Sequence, residues 1–180
     1  MLQKDKDSSR VITKHMKYGL EHEECAIGKY ANQCPAGTVV EKCGLYVDTE
    51  NGQLAASPDR MATVNGERVV IEVKCLSASR TLTPRQAVVS KQTCGHFPFK
   101  MINDETIILK EKHKYFTQVQ MQMAITGCRT CHVVIFTNVS CPVEIVKVRF
   151  DDSFWNTTKL KLLDFHSAYI VPALVNEMFK

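Results

Sequence analysis

The sequence predicts an α+β, or mixed α/β, domain with a central mixed sheet flanked by helices. Three patterns carry that expectation. A helix-spaced apolar stripe opens the chain, short β-branched runs separated by Asn-Gly turns follow, and helix-like and strand-like segments then alternate to the end. The 180 residues suffice for one domain, spanning 1–180, to bury a stable core without staples. Residues 1–10 are polar and are expected to be flexible.

From Ser9 to about Ala31, Val11, Ile12, Met16, Leu20, Ala26 and Ile27 recur at helical spacing, and Cys34-Pro35-Ala36-Gly37 breaks the pattern. Three extended runs come next: Val39 to Val47, Leu54 to Ser57, and Met61 to Val64. Asn51-Gly52 between the first two is a two-residue hairpin signal. Asn65-Gly66 then turns the chain into the β-branched run Arg68 to Cys75, which makes an antiparallel meander of three or four strands. Thr83-Pro84 is a helix start, with Thr83 as N-cap and Pro84 at the first helical position. Phe97 to Phe99 and Ile107 to Leu109 form a short hairpin around Asn103-Asp104. Tyr115 to Thr126 is a helix that Gly127 can cap. His132 to Thr137 and Glu144 to Phe150 are further strands, and a last helix runs from about Thr158 to Glu177, kinked or broken near Pro172.

Hydrophobic content of 44% and charged content of 23% describe an ordinary globular chain, and no apolar run approaches the ~20 residues that span a bilayer. The opening MLQKDKDSSR is neither a secretory nor a transit sequence, so an intracellular location, nucleus or cytoplasm, and no membrane contact are expected. Of the eight cysteines only Cys128 and Cys131 form a CxxC pair, followed by His132, and a structural zinc site usually needs a second such pair or a spaced His pair. Reduced thiols packed as small hydrophobes are the simpler expectation. A net charge of +4 permits a polyanionic partner without demanding one.

The chemistry lies in Ser57-Pro58-Asp59-Arg60 and Glu72-Val73-Lys74. Glu72 and Lys74 are two apart on a strand, so they share a face. The rest of that strand is Val, Ile and Cys, among which charges are expensive unless paired or bound to metal. With Asp59 supplied by the neighbouring strand, two carboxylates and an ammonium converge. Hard oxygen donors of this kind suit Mg²⁺, which can polarise a phosphate while Lys74 positions or deprotonates a water. The bland alternative is a Glu–Lys pair on a solvent-facing edge, since D…ExK alone is common by chance.

Four ordered elements sharpen the choice: Gly19-Leu20-Glu21-His22-Glu23-Glu24-Cys25-Ala26, Ser57-Pro58-Asp59, Glu72-Val73-Lys74-Cys75, and the run Tyr115 to Met123 with Gln118, Gln120 and Gln122. Leu82-Thr83-Pro84, Cys131 to Thr137 and Phe150 to Trp155 accompany them. Together, from about residue 18 onward, they resemble the phage lambda exonuclease family, nearest its YqaJ-type viral recombinases, within the PD-(D/E)xK nuclease superfamily. The resemblance implies a restriction-endonuclease-like core and Mg²⁺-dependent exonuclease action on linear double-stranded DNA, 5′ to 3′ from duplex ends, for recombination or viral and mobile-element DNA processing. Mn²⁺ is expected to substitute.

Carried over by position, Asp59 and Glu72 would bind metal with the Val73 carbonyl, and Lys74 would activate the water. Glu23 would hold a metal directly or through water, with Glu24 as the competing assignment. Tyr115 and Gln118 would lie beside the active site and orient the phosphate or the lysine. Gln120 is structural in this reading, and Gln122 belongs to the polar side of its helix. Arg60 stands where the family usually has glycine; it either touches DNA phosphate or lies at the surface. Trp155 is a packing anchor. Family members also carry an upstream arginine segment expected to engage the substrate 5′-phosphate. Here only Arg10-Val11-Ile12-Thr13 precedes the first helix motif, which leaves truncation, divergence or reliance on another chain open. Partners so implied are double-stranded DNA ends, a homo-oligomer and a single-strand annealing protein. Competing readings are an endonuclease acting on DNA or RNA, and a catalytically impaired DNA-binding recombination module.

Overall fold

The computed structural model describes residues 12–178, so Ser9 to Val11 of the expected first helix, the expected flexible segment 1–10 and Arg10 lie outside the described residues. Within them helix α1 spans Lys14–Gln33. It starts later than the apolar stripe suggests because Thr13 is extended and its side chain accepts from the Met16 amide, an N-cap that sets the first turn.

The long run after α1 splits. Strand β1 (Val39–Glu41) and β2 (Tyr46–Val47) are separate, and β2 pairs with β3 (Ala55–Ala56) in a small ribbon of its own. β1 instead pairs antiparallel with β4 (Arg60–Val64). The sequential meander is therefore corrected at its first half. Asn51-Gly52 is not a two-residue hairpin either. Asp48 captures the amides of Glu50 and Asn51 at 3.0 and 2.7 Å, so an Asx turn organises a longer loop up to Leu54. Asn65-Gly66 does form the tight turn, with φ of 50° and 81°, joining β4 to β5 (Glu67–Cys75).

Beyond β5 come α2 (Pro84–Lys91), opened by a reciprocal Thr83–Gln86 capping box, and the hairpin β6 (Phe99–Ile102) and β7 (Thr106–Leu109) around the left-handed pair Asn103 and Asp104. Helix α3 (Lys114–Thr126) ends on Gly127 at φ 72°, where the Cys128 amide returns to the Met123 carbonyl. Strand β8 (Thr130–Phe136), buried along its whole length, runs parallel to β5, and β9 (Glu144–Arg149) pairs antiparallel on its far side. The central sheet is thus mixed and five-stranded, in the order β1-β4-β5-β8-β9.

Helix α4 (Asp152–Phe165) begins earlier than Thr158 because Asp151 caps it, accepting from Phe154. The disturbance expected at Pro172 takes the form of a widened turn over His166–Ile170, just before α5 (Val171–Met178). Pro172 has no amide to give the carbonyl four residues back, and the Val171 amide reaches His166 instead.

Both sheet faces are covered. Ala26, Ile27 and Tyr30 of α1 pack on Ala62, Val69, Ile71, Val134 and Phe136. The opposite face buries Val70, Cys131, Val133 and Ile135 against Val88 of α2, Phe99 and Leu109 of the hairpin, and Val119 and Met123 of α3. Trp155 is buried, as a packing anchor should be. The cysteines are free thiols, and Cys128 and Cys131 sit in the apolar core. No helix of the described residues is long and apolar enough to cross a membrane.

Candidate active site

The site lies where β5 loses its neighbour. The β4 ladder starts at Arg60 opposite Ile71, whereas β8 stays paired with β5 as far as Cys75. The next free rung on the β4 side, the Val73 amide, is taken by a side chain: it donates to Asp59 Oδ2 at 2.7 Å. Residue 59 can do this because Pro58 precedes it, and Cys43 Sγ donates to the Pro58 carbonyl at 3.2 Å. A residue's N–H and C=O leave a strand on the same side, so the Val73 carbonyl also faces this gap.

Glu72 and Lys74 share the face that meets α3. Lys74 Nζ donates to Glu72 Oε1 at 2.5 Å and to Gln118 Oε1 at 3.3 Å, and stands 3.9 Å from the centre of the Tyr115 ring. Gln118 Nε2 also donates to Glu72 Oε1 at 2.8 Å, and Gln122 Nε2 donates to Glu72 Oε2 at 2.7 Å. Glu72 is only 3% exposed, so these donors replace the water a buried carboxylate has lost. Tyr115 is placed by the helix start itself, because His113 Nδ1 accepts from its amide at 3.1 Å.

From the other face of the sheet, α1 brings Glu23. Met16, Gly19, Leu20, Glu23, Asp59, Glu72, Val73 and Cys75 together line a cleft of about 280 Å³. Glu24 turns outward to Lys42 at 3.3 Å, so Glu23 and not its neighbour faces the cleft. Burial first, then the charges of Glu72 and Glu23, push the Asp59 carboxyl up to about 7. Burial, with Glu23 and Asp59 beside it, pushes the Cys75 thiol up to about 12, so it is inert as a nucleophile.

Arg60 departs from its expected role. It is 9% exposed and faces inward: Nη1 donates to Glu23 Oε1 at 3.0 Å and to the Asp59 carbonyl, and Nη2 to Glu24 Oε1 at 2.5 Å. A side chain this buried and this engaged is neither a surface group nor a ready phosphate contact. Gln120 is buried and structural, bonded to the Arg149 carbonyl and the Asp151 amide. Gln122 belongs to the site although its sequence context marks it only as part of a polar face. The signal that could have found it is its place one helical turn after Gln118.

Among the described residues no three Asp, Glu, His or Cys side chains form a finished metal-ligand set. The donor chemistry nevertheless fits a hard divalent cation. Three carboxylates line one cleft, and their mutual repulsion on Asp59 is what such an ion relieves.

Residues 1–129 match the YqaJ-like viral recombinase domain. The alkaline exonuclease of Laribacter hongkongensis superposes with a TM-score of 0.65 at 22% identity, over 93% of this chain and 73% of that one. Its complex with dAMP superposes equally, over 92% and 72%. No curated protein sequence matches the chain. The likeness identifies the five-stranded mixed sheet and its helices as a restriction-endonuclease-like fold.

Proposed function

Because the chain belongs to the YqaJ-like viral recombinase domain family, we propose that it is a divalent-metal-dependent DNA nuclease that acts as an exonuclease on ends of linear double-stranded DNA. The observation that carries this reading is the meeting of Asp59, Glu72 and Glu23 in one cleft, with the Lys74 ammonium fixed at Glu72. The similar Laribacter exonuclease has been solved with dAMP, a deoxynucleoside monophosphate of the kind stepwise digestion releases.

Asp59, Glu23, Glu72 and the Val73 carbonyl would hold Mg²⁺, or Mn²⁺ in its place. When bound, the ion supplies Lewis-acid polarisation of the phosphodiester and a more acidic water. Glu72, Gln118 and the Tyr115 ring hold the charged tip of Lys74, from which it would orient the attacking water and offset developing negative charge. Gln118 and Tyr115 fix that tip and flank the phosphate. Gln122 keeps Glu72 from rotating away. Digestion from the 5′ end and service in recombination follow from the family reading. Assembly as an oligomer and partnership with an annealing protein belong to the same reading.

The test is digestion of a linear duplex labelled at either end, beside a closed circle, with Mg²⁺ or EDTA and with Lys74→Ala as control. Mg²⁺-dependent loss of the linear DNA alone, abolished by the substitution, is expected, with the 5′ label released first. Cutting of the circle would move the reading to an endonuclease. No cutting by folded protein would leave a DNA-binding module.

A further inference from the structure

The loops that meet at the start of α3 enclose a cavity of about 370 Å³, lined by Gly95, His96, Lys112, His113 and Lys114. It has no acidic wall. Glu111, the carboxylate beside it in sequence, lines the grooves along β7 instead. Among the described residues neither Lys112 nor Lys114 is paired with a carboxylate, and the first turn of α3 has no acidic residue. Burial, and behind it the charges of Lys114, Lys110 and Lys74, hold the His113 ring below its ordinary 6.5, against an upward pull from the His96 backbone. A concave site with unmatched positive charge attracts anions.

The frame of the cavity is fixed by bonds of its own. Lys110 Nζ donates to the Gln92 and Cys94 carbonyls at 2.9 and 3.0 Å, which clasps the segment before Lys112 to the one before Gly95. The Phe97 amide closes on the Cys94 carbonyl at 3.1 Å, and the Phe97 side chain is buried. His113 donates its amide to the Lys110 carbonyl at 3.0 Å, while its Nδ1 accepts from the Tyr115 amide. Lys112, Lys114 and His96 stay exposed with their donors unspent on the protein. A metal ion is a poor occupant, because the lysines repel it and His113 Nδ1 is engaged.

Tyr115 joins this cavity to the catalytic cleft. Lys74 Nζ lies 3.9 Å from the centre of its ring and Lys114 Nζ 5.8 Å, and the His113 ring packs against it with centres 4.6 Å apart. Phosphates of one strand recur about every 3.4 Å of duplex axis, so a strand held with one phosphate at Lys74 has its neighbours within reach of Lys114.

Granting the DNA-nuclease reading on which this rests, we propose that the cavity binds an internal backbone phosphate of the strand being cut, beside the scissile one, with Lys112, Lys114 and His96 as donors. His113 is a positioning residue that fixes the wall and Tyr115 together. A contact to phosphate reads no base, so the cavity sets grip and register on the strand and not a preferred sequence.

Digestion of a linear duplex by the full chain in Mg²⁺, with kcat and KM followed across a salt series, tests this. Lys114→Gln and Lys112→Gln should each raise KM with kcat little changed. Each should also flatten the dependence of log KM on log salt by roughly one unit of slope. Lys161→Gln, an exposed lysine of α4, should match the wild type. The lysine effects should persist on duplexes with 5′-hydroxyl ends. Wild-type KM and slope in the double variant, or an equal change in Lys161→Gln, would overturn the proposal and leave the nuclease reading intact. A fall in kcat at constant KM would overturn it too, making the lysines supports of Tyr115. Effects that vanish on 5′-hydroxyl ends would replace the internal phosphate by a terminal one. No digestion by the folded wild type would sink the reading beneath.

Discussion

Burial and the charges of Glu72 and Glu23 hold the Asp59 carboxyl at about 7, against 3.8 for an ordinary one, so the unfolded chain ionises it more readily than the native one. Folding stability from this group is complete below about pH 4 and is lost as pH rises through 7. Asp59→Asn should therefore raise the melting temperature of chelator-treated protein at pH 8, at roughly 2–4 °C per kcal/mol for a chain of this size. The gain should vanish near pH 4, and Mg²⁺ should raise the wild type more than the variant. An Asn variant no more stable at pH 8 would mean that the repulsion is relieved some other way. Asp59, Glu72 and Lys74 were legible in the sequence because their spacing alone puts the last two on one strand face. Arg60 and Gln122 were not. Whether an arginine after Ser-Pro-Asp turns in or out depends on how closely α1 lies against β4, which no local pattern records.

Helix α3 shows what an element adds to its residues. One turn apart, Gln118 and Gln122 grip the two oxygens of Glu72, and Val119 and Met123 on the adjoining face lock the helix into the core. Gln122→Leu should cost about 1–3 kcal/mol in urea unfolding, because it leaves a buried carboxylate short of a donor. It should also lower kcat with little change in KM, since Glu72 and Lys74 are held by the same network. Unchanged stability and kcat would show that Glu72 needs only Lys74 and Gln118. Elements with strong local punctuation were legible: the Thr83 capping box, the Gly127 cap and the Asn65-Gly66 turn. Those decided by competition were not. Asp48 outbids Asn51-Gly52 for the turn, and β1 leaves its chain neighbour for β4 because the sheet edge offers a ladder there.

At the scale of the molecule, the sheet sits between α1, which carries Glu23, and α3, which steadies Glu72 and Lys74. Besides the Arg60 bonds to Glu23 and Glu24, α1 is tied to the sheet and its flanks by Tyr18 OH donating to the Thr137 carbonyl at 2.6 Å, Tyr30 OH with His132 Nδ1 at 2.7 Å, and Gln33 with both backbone groups of Val143. Burial first, then Lys147, pushes His132 down to about 4 from 6.5, so it stays neutral in the fold while the unfolded chain protonates it. The stability this confers is whole above pH 6.5 and is lost as pH falls towards 4. The urea midpoint of the wild type should fall further than that of His132→Gln between pH 7.5 and 4.5. Parallel curves would exclude His132 as the source of acid sensitivity. The layered fold was legible in the alternation of helix and strand; the pairing of His132 with Tyr30, 102 residues apart, was not.

The break in the β4 ladder gives the protein an internal reporter. Along β5 the Ile71 amide lies in register with the β4 backbone, whereas the Val73 amide is held by the carboxylate of Asp59. Its nuclear magnetic resonance shift and its exchange with deuterated solvent therefore follow whatever occupies that carboxylate. Proton, metal ion and bare charge become distinguishable at one backbone position, without DNA and without turnover.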